Sequence, residues 1–141
     1  MKYLPLLCLL LVARLSAADA PPTLPIEKFK LGDWEDDIGF RQAVRVGNTV
    51  YISGTTGAGD MRAAIREAYG TLETTLKHFG LTFRHVVKET IHTTSLEDLK
   101  ANLALRRHYY GKDFPAATWV QVSRLYEPAH VIKIELIAVI P

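Results

Sequence analysis

The sequence predicts an α+β domain, a mixed β-sheet with two helices on one face. Three observations lead there. Five short runs are β-branched or alternate polar with apolar residues, the pattern of strands. Two longer runs between them repeat apolar residues every three or four positions, the pattern of amphipathic helices. The resulting order is β-β-α-β-α-β-β, and the last strand is apolar on both of its faces. The chain has 141 residues, is 48% hydrophobic and 23% charged. That suits one domain with a short appendage and excludes general disorder. A net charge of +2 speaks against a dedicated nucleic-acid binder. A single cysteine excludes an intramolecular disulfide framework and a four-cysteine zinc site.

Residues 1–20 read as a secretory signal peptide. Lys2 supplies a small positive start, residues 3–13 are an apolar run containing Cys8, and Ala18-Asp19-Ala20 is a small-x-small cleavage pattern followed by Pro21-Pro22. The run is shorter than the roughly 20 residues a membrane span needs. Removing 20 of 141 residues leaves 121, of which 15 are basic and 14 acidic, a charge of +1. The mature chain would lack cysteine and would work in the periplasm or outside the cell, with no membrane attachment after cleavage. Residues 21–37 form an N-terminal arm, extended through its prolines and irregular afterwards. The domain itself is expected over residues 38–141.

Residues 40–46 and 48–53 are expected as strands of one hairpin, turned at Gly47-Asn48. The glycine-rich stretch 54–59 reads as a flexible connection. It lacks the lysine of a phosphate-binding P-loop and the Gly-x-Gly-x-x-Gly order. Asp60 is placed to cap a helix whose inward face is Met61, Ala64, Ile65, Ala68, Leu72, Leu76 and Phe79. Gly80 would lie just past its end, and Gly70 inside it suggests close packing. Residues 86–94 read as a strand. Ser95, with Asp98 three residues on, opens a second helix presenting Leu96, Leu99, Leu103 and Tyr110 and ending at Gly111. Residues 118–125 and 131–140 are the last strands. Two helices cover one face of such a sheet. The other face keeps Val131, Ile137 and Val139, which calls for a partner subunit.

Candidate chemistry is sparse. His78, His85, His92, His108 and His130 form no metal-ligand spacing, so neither metal nor cofactor is expected. Ser53 is outside any nucleophile-elbow pattern. Lys133 and Glu135 stand out. They are two apart on a strand, hence on one face, and charges within so apolar a strand need partners or solvent. A surface ion pair would explain them as well as a functional role would.

Several segments together resemble the Rid/YjgF family, the reactive-intermediate deaminases, also called endoribonuclease L-PSP-like. They are Gln42-Ala-Val-Arg-Val-Gly-Asn-Thr-Val-Tyr-Ile-Ser-Gly54, Val86-Val-Lys88, Phe114-Pro-Ala-Ala-Thr118, Val122-Ser-Arg-Leu125 and Ile132-Lys-Ile-Glu-Leu-Ile-Ala-Val139. The resemblance implies a chorismate-mutase-like fold and a homotrimer binding a small molecule in inter-subunit clefts. It also implies cofactor-free hydrolysis of 2-imino acids to 2-keto acids and ammonia.

The departures from the family pattern fall at its site. The carboxylate-binding arginine, two residues after the proline, is replaced by Ala117, followed by Thr118 and Trp119. The first glutamate of the final-strand motif is Lys133, while the second is kept as Glu135. The family's N-terminal tyrosine is Phe40, and its second-helix asparagine falls near Leu103 with Asn102 adjacent. Ser53 and Gly54 are retained. The expected site is therefore Glu135 and Lys133 as catalytic groups, with Phe40, Ser53, Gly54, Ala117, Thr118 and Trp119 around the substrate and Trp119 filling the cleft. The sequence places the chain in an arginine-less branch, hydrolysing an unusual imine or enamine with Lys133 supplying the missing positive charge. The alternative is a non-catalytic trimer that binds a small molecule between Trp119 and Phe40. A ribonuclease is disfavoured by the low charge.

Overall fold

The computed structural model describes residues 24–141. The signal peptide expected at 1–20 and the first prolines of the arm lie outside the described residues. The elements are β1 (Ile26–Phe29), α1 (Trp34–Ile38), β2 (Ala43–Val46), β3 (Thr49–Ala58), α2 (Met61–His78), a 3₁₀ turn (Phe83–His85), β4 (Val86–Thr93), α3 (Leu96–Ala101), α4 (Leu103–Tyr110), β5 (Ala116–Gln121) and β6 (His130–Val139). The six strands form one sheet in the order β1-β2-β3-β6-β4-β5. All neighbours are antiparallel except β4 and β5, which run parallel. The sheet is therefore mixed, with helices as its other layer.

Alternation sorts the sheet residues. Val50, Ile52, Ile91, Ile132, Ile134, Leu136 and Ala138 are buried, and they pack with the inward face of α2, namely Ala64, Ile65, Ala68, Tyr69, Leu72 and Leu76. Their alternates Val44, Tyr51, Lys133, Glu135, Ile137 and Val139 are half-buried or exposed. One face of the sheet is thus left uncovered, and it is that face which carries the charges of β6.

Five details differ from the sequence reading. The arm is not irregular: β1 pairs with β2, and α1 follows. The glycine-rich stretch is not a flexible connection, because β3 runs through it to Ala58, paired with β6. Gly57 has a packing role there. A Cβ on it would overlap the backbone carbonyl oxygen of Ala64 and stand 2.7 Å from that residue's Cα, so α2 could not lie so close to β3. Gly70, in contrast, has no atom within 4 Å of where a Cβ would be, so it does not mark close packing. Finally, the second helix is broken into α3 and α4 at Asn102, and β5 occupies 116–121 rather than 118–125, its partner β4 ending the register at Thr93.

Candidate functional site

The site is built by three adjacent strands on the uncovered face. In β6, Lys133 and Glu135 point to that face, about 7 Å apart along the strand. Register then places their neighbours. Lys133 lies between Thr56 of β3 and His92 of β4. Glu135 lies opposite Thr90 of β4. On its other side, β3 pairs Ile52 with Leu136 and Thr55 with Ile134, so Ser53 and Gly54 together oppose the single residue Glu135. This is a β-bulge, a device that re-aims side chains beside functional sites.

The bulge serves Lys133. A Cβ on Gly54 would overlap Lys133 Cε and stand 2.8 Å from its Cδ and Cγ. The missing side chain therefore leaves the space in which the lysine stem lies, beside the bulge that opposes Glu135. Lys133 and Glu135 make no ion pair with each other or with other described residues. Ser53 donates its hydroxyl to the Arg41 carbonyl at 2.6 Å, which ties the bulge to the segment just before β2.

These groups open into a cavity of about 1040 Å³, enough for a small organic molecule. Phe40, Ser53, Gly54, Lys133 and Glu135 all line it. Its apolar wall adds Leu31, Trp34, Ile38, Tyr51 and Ile137, and its polar rim adds Lys88, Thr90, His130 and Glu127. The wall from α1 is held by Glu35, which is fully buried and accepts the backbone N–H groups of Leu31 at 2.8 Å and Gln42 at 2.7 Å. Outside, Asp36 takes Lys30 at 2.7 Å and Arg41 at 2.6 Å. The hydrogen bond from Lys30 holds the Asp36 carboxyl below the usual carboxylate range.

The structure does not bring the whole expected set together. Ala117 and Trp119 do not line this cavity. They are in register with Glu89 and Ile91, and so belong to the helix-covered face. Trp119 does not fill the cavity because its indole turns to a buried polar group there. Its Nε1 is 3.4 Å from Glu89 Oε2 and the Arg106 guanidinium sits 5.1 Å over its ring. Glu89 also accepts Tyr69 at 2.6 Å, Tyr110 at 2.9 Å and Arg106 at 2.7 Å. Thr118, one position away, does not line the cavity either, but it accepts Lys88 Nζ at 2.6 Å, and Lys88 does. Sequence reasoning had missed Lys88, Thr90 and His130. For the first two a signal existed, since Lys88, Thr90 and His92 alternate along β4 on the same face as Lys133 and Glu135.

Fold and site define a class: a small α+β domain with an apolar-walled cavity, bearing a lysine and a carboxylate, on the uncovered face of a mixed sheet. Known proteins narrow it. The profile of the family described as Endoribonuclease L-PSP matches residues 36–140. A 2-iminobutanoate/2-iminopropanoate deaminase of Dermatophagoides farinae is 32% identical over 110 residues, covering 72% of this chain and 85% of the relative. A Homo sapiens protein of the same name is 29% identical over 109 residues, covering 71% of this chain and 79% of its own. The crystal structure of Rv2704 from Mycobacterium tuberculosis, a member of the YjgF/YER057c/UK114 family, matches with a TM-score of 0.76 at 30% identity, over 82% of this chain and 100% of that one. The chain belongs to this family, Rid/YjgF or endoribonuclease L-PSP-like, and has its chorismate-mutase-like fold.

Proposed function

We propose that this protein hydrolyses a reactive imine, or its enamine tautomer, to a carbonyl compound and ammonia, as an exported homotrimer without a cofactor. The observation that carries the reading is the placement of Glu135 and Lys133 in one cavity, opposite the Ser53–Gly54 bulge. Relatives named as 2-imino acid deaminases support the reaction class. Glu135 takes a proton from the attacking water as general base. The Lys133 amine sits at the reacting end of the substrate, and the aromatic wall of Trp34 and Phe40 takes its apolar body.

The branch of the family is also part of the proposal. Among the residues lining the cavity the lysines are Lys88 and Lys133, and no arginine joins them. Ala117 offers no guanidinium fork to a carboxylate. The favoured substrate is therefore an apolar imine without a carboxylate. The test supplies freshly generated imines, carboxylated ones from an amino-acid oxidase and uncarboxylated ones from an amine oxidase, and follows ammonia. Faster release from the uncarboxylated set is expected, with Glu135→Gln slowing it by about 100-fold or more. No acceleration over buffer with either set would overturn the reading in favour of a non-catalytic binding protein. Thermal-shift screening would then identify its ligand. Export is checked by the mass of the mature chain, which should begin at Pro21.

A further inference from the structure

We infer that Lys133 is a covalent catalyst, forming a Schiff base with the substrate carbon. The inference rests on the imine-hydrolase reading and concerns how that site works. Three features of the structure support it. The amine is carried on the central strand of the sheet, so its position is set by the scaffold rather than by a loop. The stem from Cγ to Cε lies in the space that glycine leaves at position 54, so a methyl group there would move it. The amine makes no ion pair among the described residues, although Glu135 is its near neighbour on the strand. A lysine whose only task was structural would be expected to take that pairing.

The steps balance with water alone. The Lys133 amine adds through its lone pair to the imine carbon, forming a carbon–nitrogen bond, and the π electrons pass to the substrate nitrogen, which takes a proton. Nζ, cationic after the addition, gives up one proton, the substrate nitrogen takes a second and leaves as ammonia with its bonding pair, and the Nζ lone pair closes the carbon–nitrogen double bond. The product is a protonated Schiff base between the carbon and Nζ. His92 lies opposite Lys133 and His130 lines the cavity. Each has a buried ring Nδ1 without a partner among the described residues, and these imidazoles carry the protons. Water then adds to the carbon while Glu135 removes its proton. Glu135 returns that proton to Nζ, the carbon–nitrogen bond breaks with its pair on nitrogen, the hydroxyl gives its proton to an imidazole as the carbonyl forms, and the product leaves.

Lys133→Arg separates this role from charge alone, because arginine keeps the charge and forms no Schiff base. The experiment incubates the full-length protein with phenylacetaldehyde and sodium cyanoborohydride and maps the reduced adduct by peptide mass spectrometry. In parallel it measures ammonia release from imines. An adduct at Lys133 is expected, in preference to the surface lysines. Gly54→Ala should reduce its formation at least tenfold while circular dichroism stays unchanged. Lys133→Arg should abolish it and slow hydrolysis at least 100-fold. Ammonia release without an adduct, or with Lys133→Arg within threefold of the native rate, would overturn the inference and leave the hydrolase reading standing. An adduct without any ammonia release would overturn the hydrolase reading, and with it the catalytic role assigned here.

Discussion

Tyr69 and Tyr110 both donate to Glu89, deep in the helix-covered layer. Burial is the main cause that raises both phenols above their ordinary value of 10, and the Glu89 charge adds to it. The unfolded chain loses these protons near pH 10 while the folded chain keeps them. Their contribution to stability is therefore complete below pH 10 and declines above it, by up to about 1.4 kcal/mol per pH unit for each tyrosine. Alkaline titration should show tyrosinate absorbance from this pair only together with loss of the circular-dichroism signal. Two glycines make an opposed pair of predictions. Gly70→Ala meets open space inside α2 and should raise stability by about 1 kcal/mol in urea unfolding. Gly57→Ala would drive a methyl group into the α2 backbone and should cost about 2 kcal/mol or more in the same measurement. The sequence shows both as glycines within or beside helical spacing. Only the packing distinguishes them.

The elements whose signals are local were legible in advance. Helix α2 has Asp60 as its cap, the Oδ1 accepting Ala63 N–H at 3.0 Å, and its eight buried residues follow helical spacing. Asp60→Ala should lower the unfolding free energy by about 1 kcal/mol with no change in the catalytic assay. Ser95 caps α3 in the same manner, accepting from Asp98 N–H at 3.2 Å. The elements that were missed depend on partners far away in sequence. Strand β1 is mostly exposed, so it shows little burial pattern, and it exists because β2 offers it a sheet edge. The end of β3 looks like a glycine loop until β6 pairs with it. Helix α1 is fixed by Glu35 reaching forward to Gln42, a bond that propensity does not encode.

At the scale of the whole molecule, the uncovered sheet face is the feature that links fold to function. It combines apolar residues such as Val44, Tyr51 and Ile137 with the polar centre around Lys133 and Glu135. Adjacent residues of β6 should respond oppositely to the same change. Leu136→Asp places a charge against α2 and should unfold the chain. Ile137→Asp places it on the open face and should leave a folded monomer, whereas the proposed assembly predicts that the native protein sediments as a trimer. Equal sedimentation of Ile137→Asp and native protein would argue against assembly through this face. Helix α2 with its cap, the strands 86–93 and 130–139 and the placement of Lys133 and Glu135 on one face were determined by the sequence itself, because periodicity and alternation are local properties of the backbone. Which glycine makes room for a neighbour and which is idle was decided by the tertiary structure alone. So was the turn of Trp119 away from the cavity toward Glu89 and Arg106, together with the place of His130 in the cavity lining. Each of these depends on strand register, and register is set only when distant segments of the chain pair.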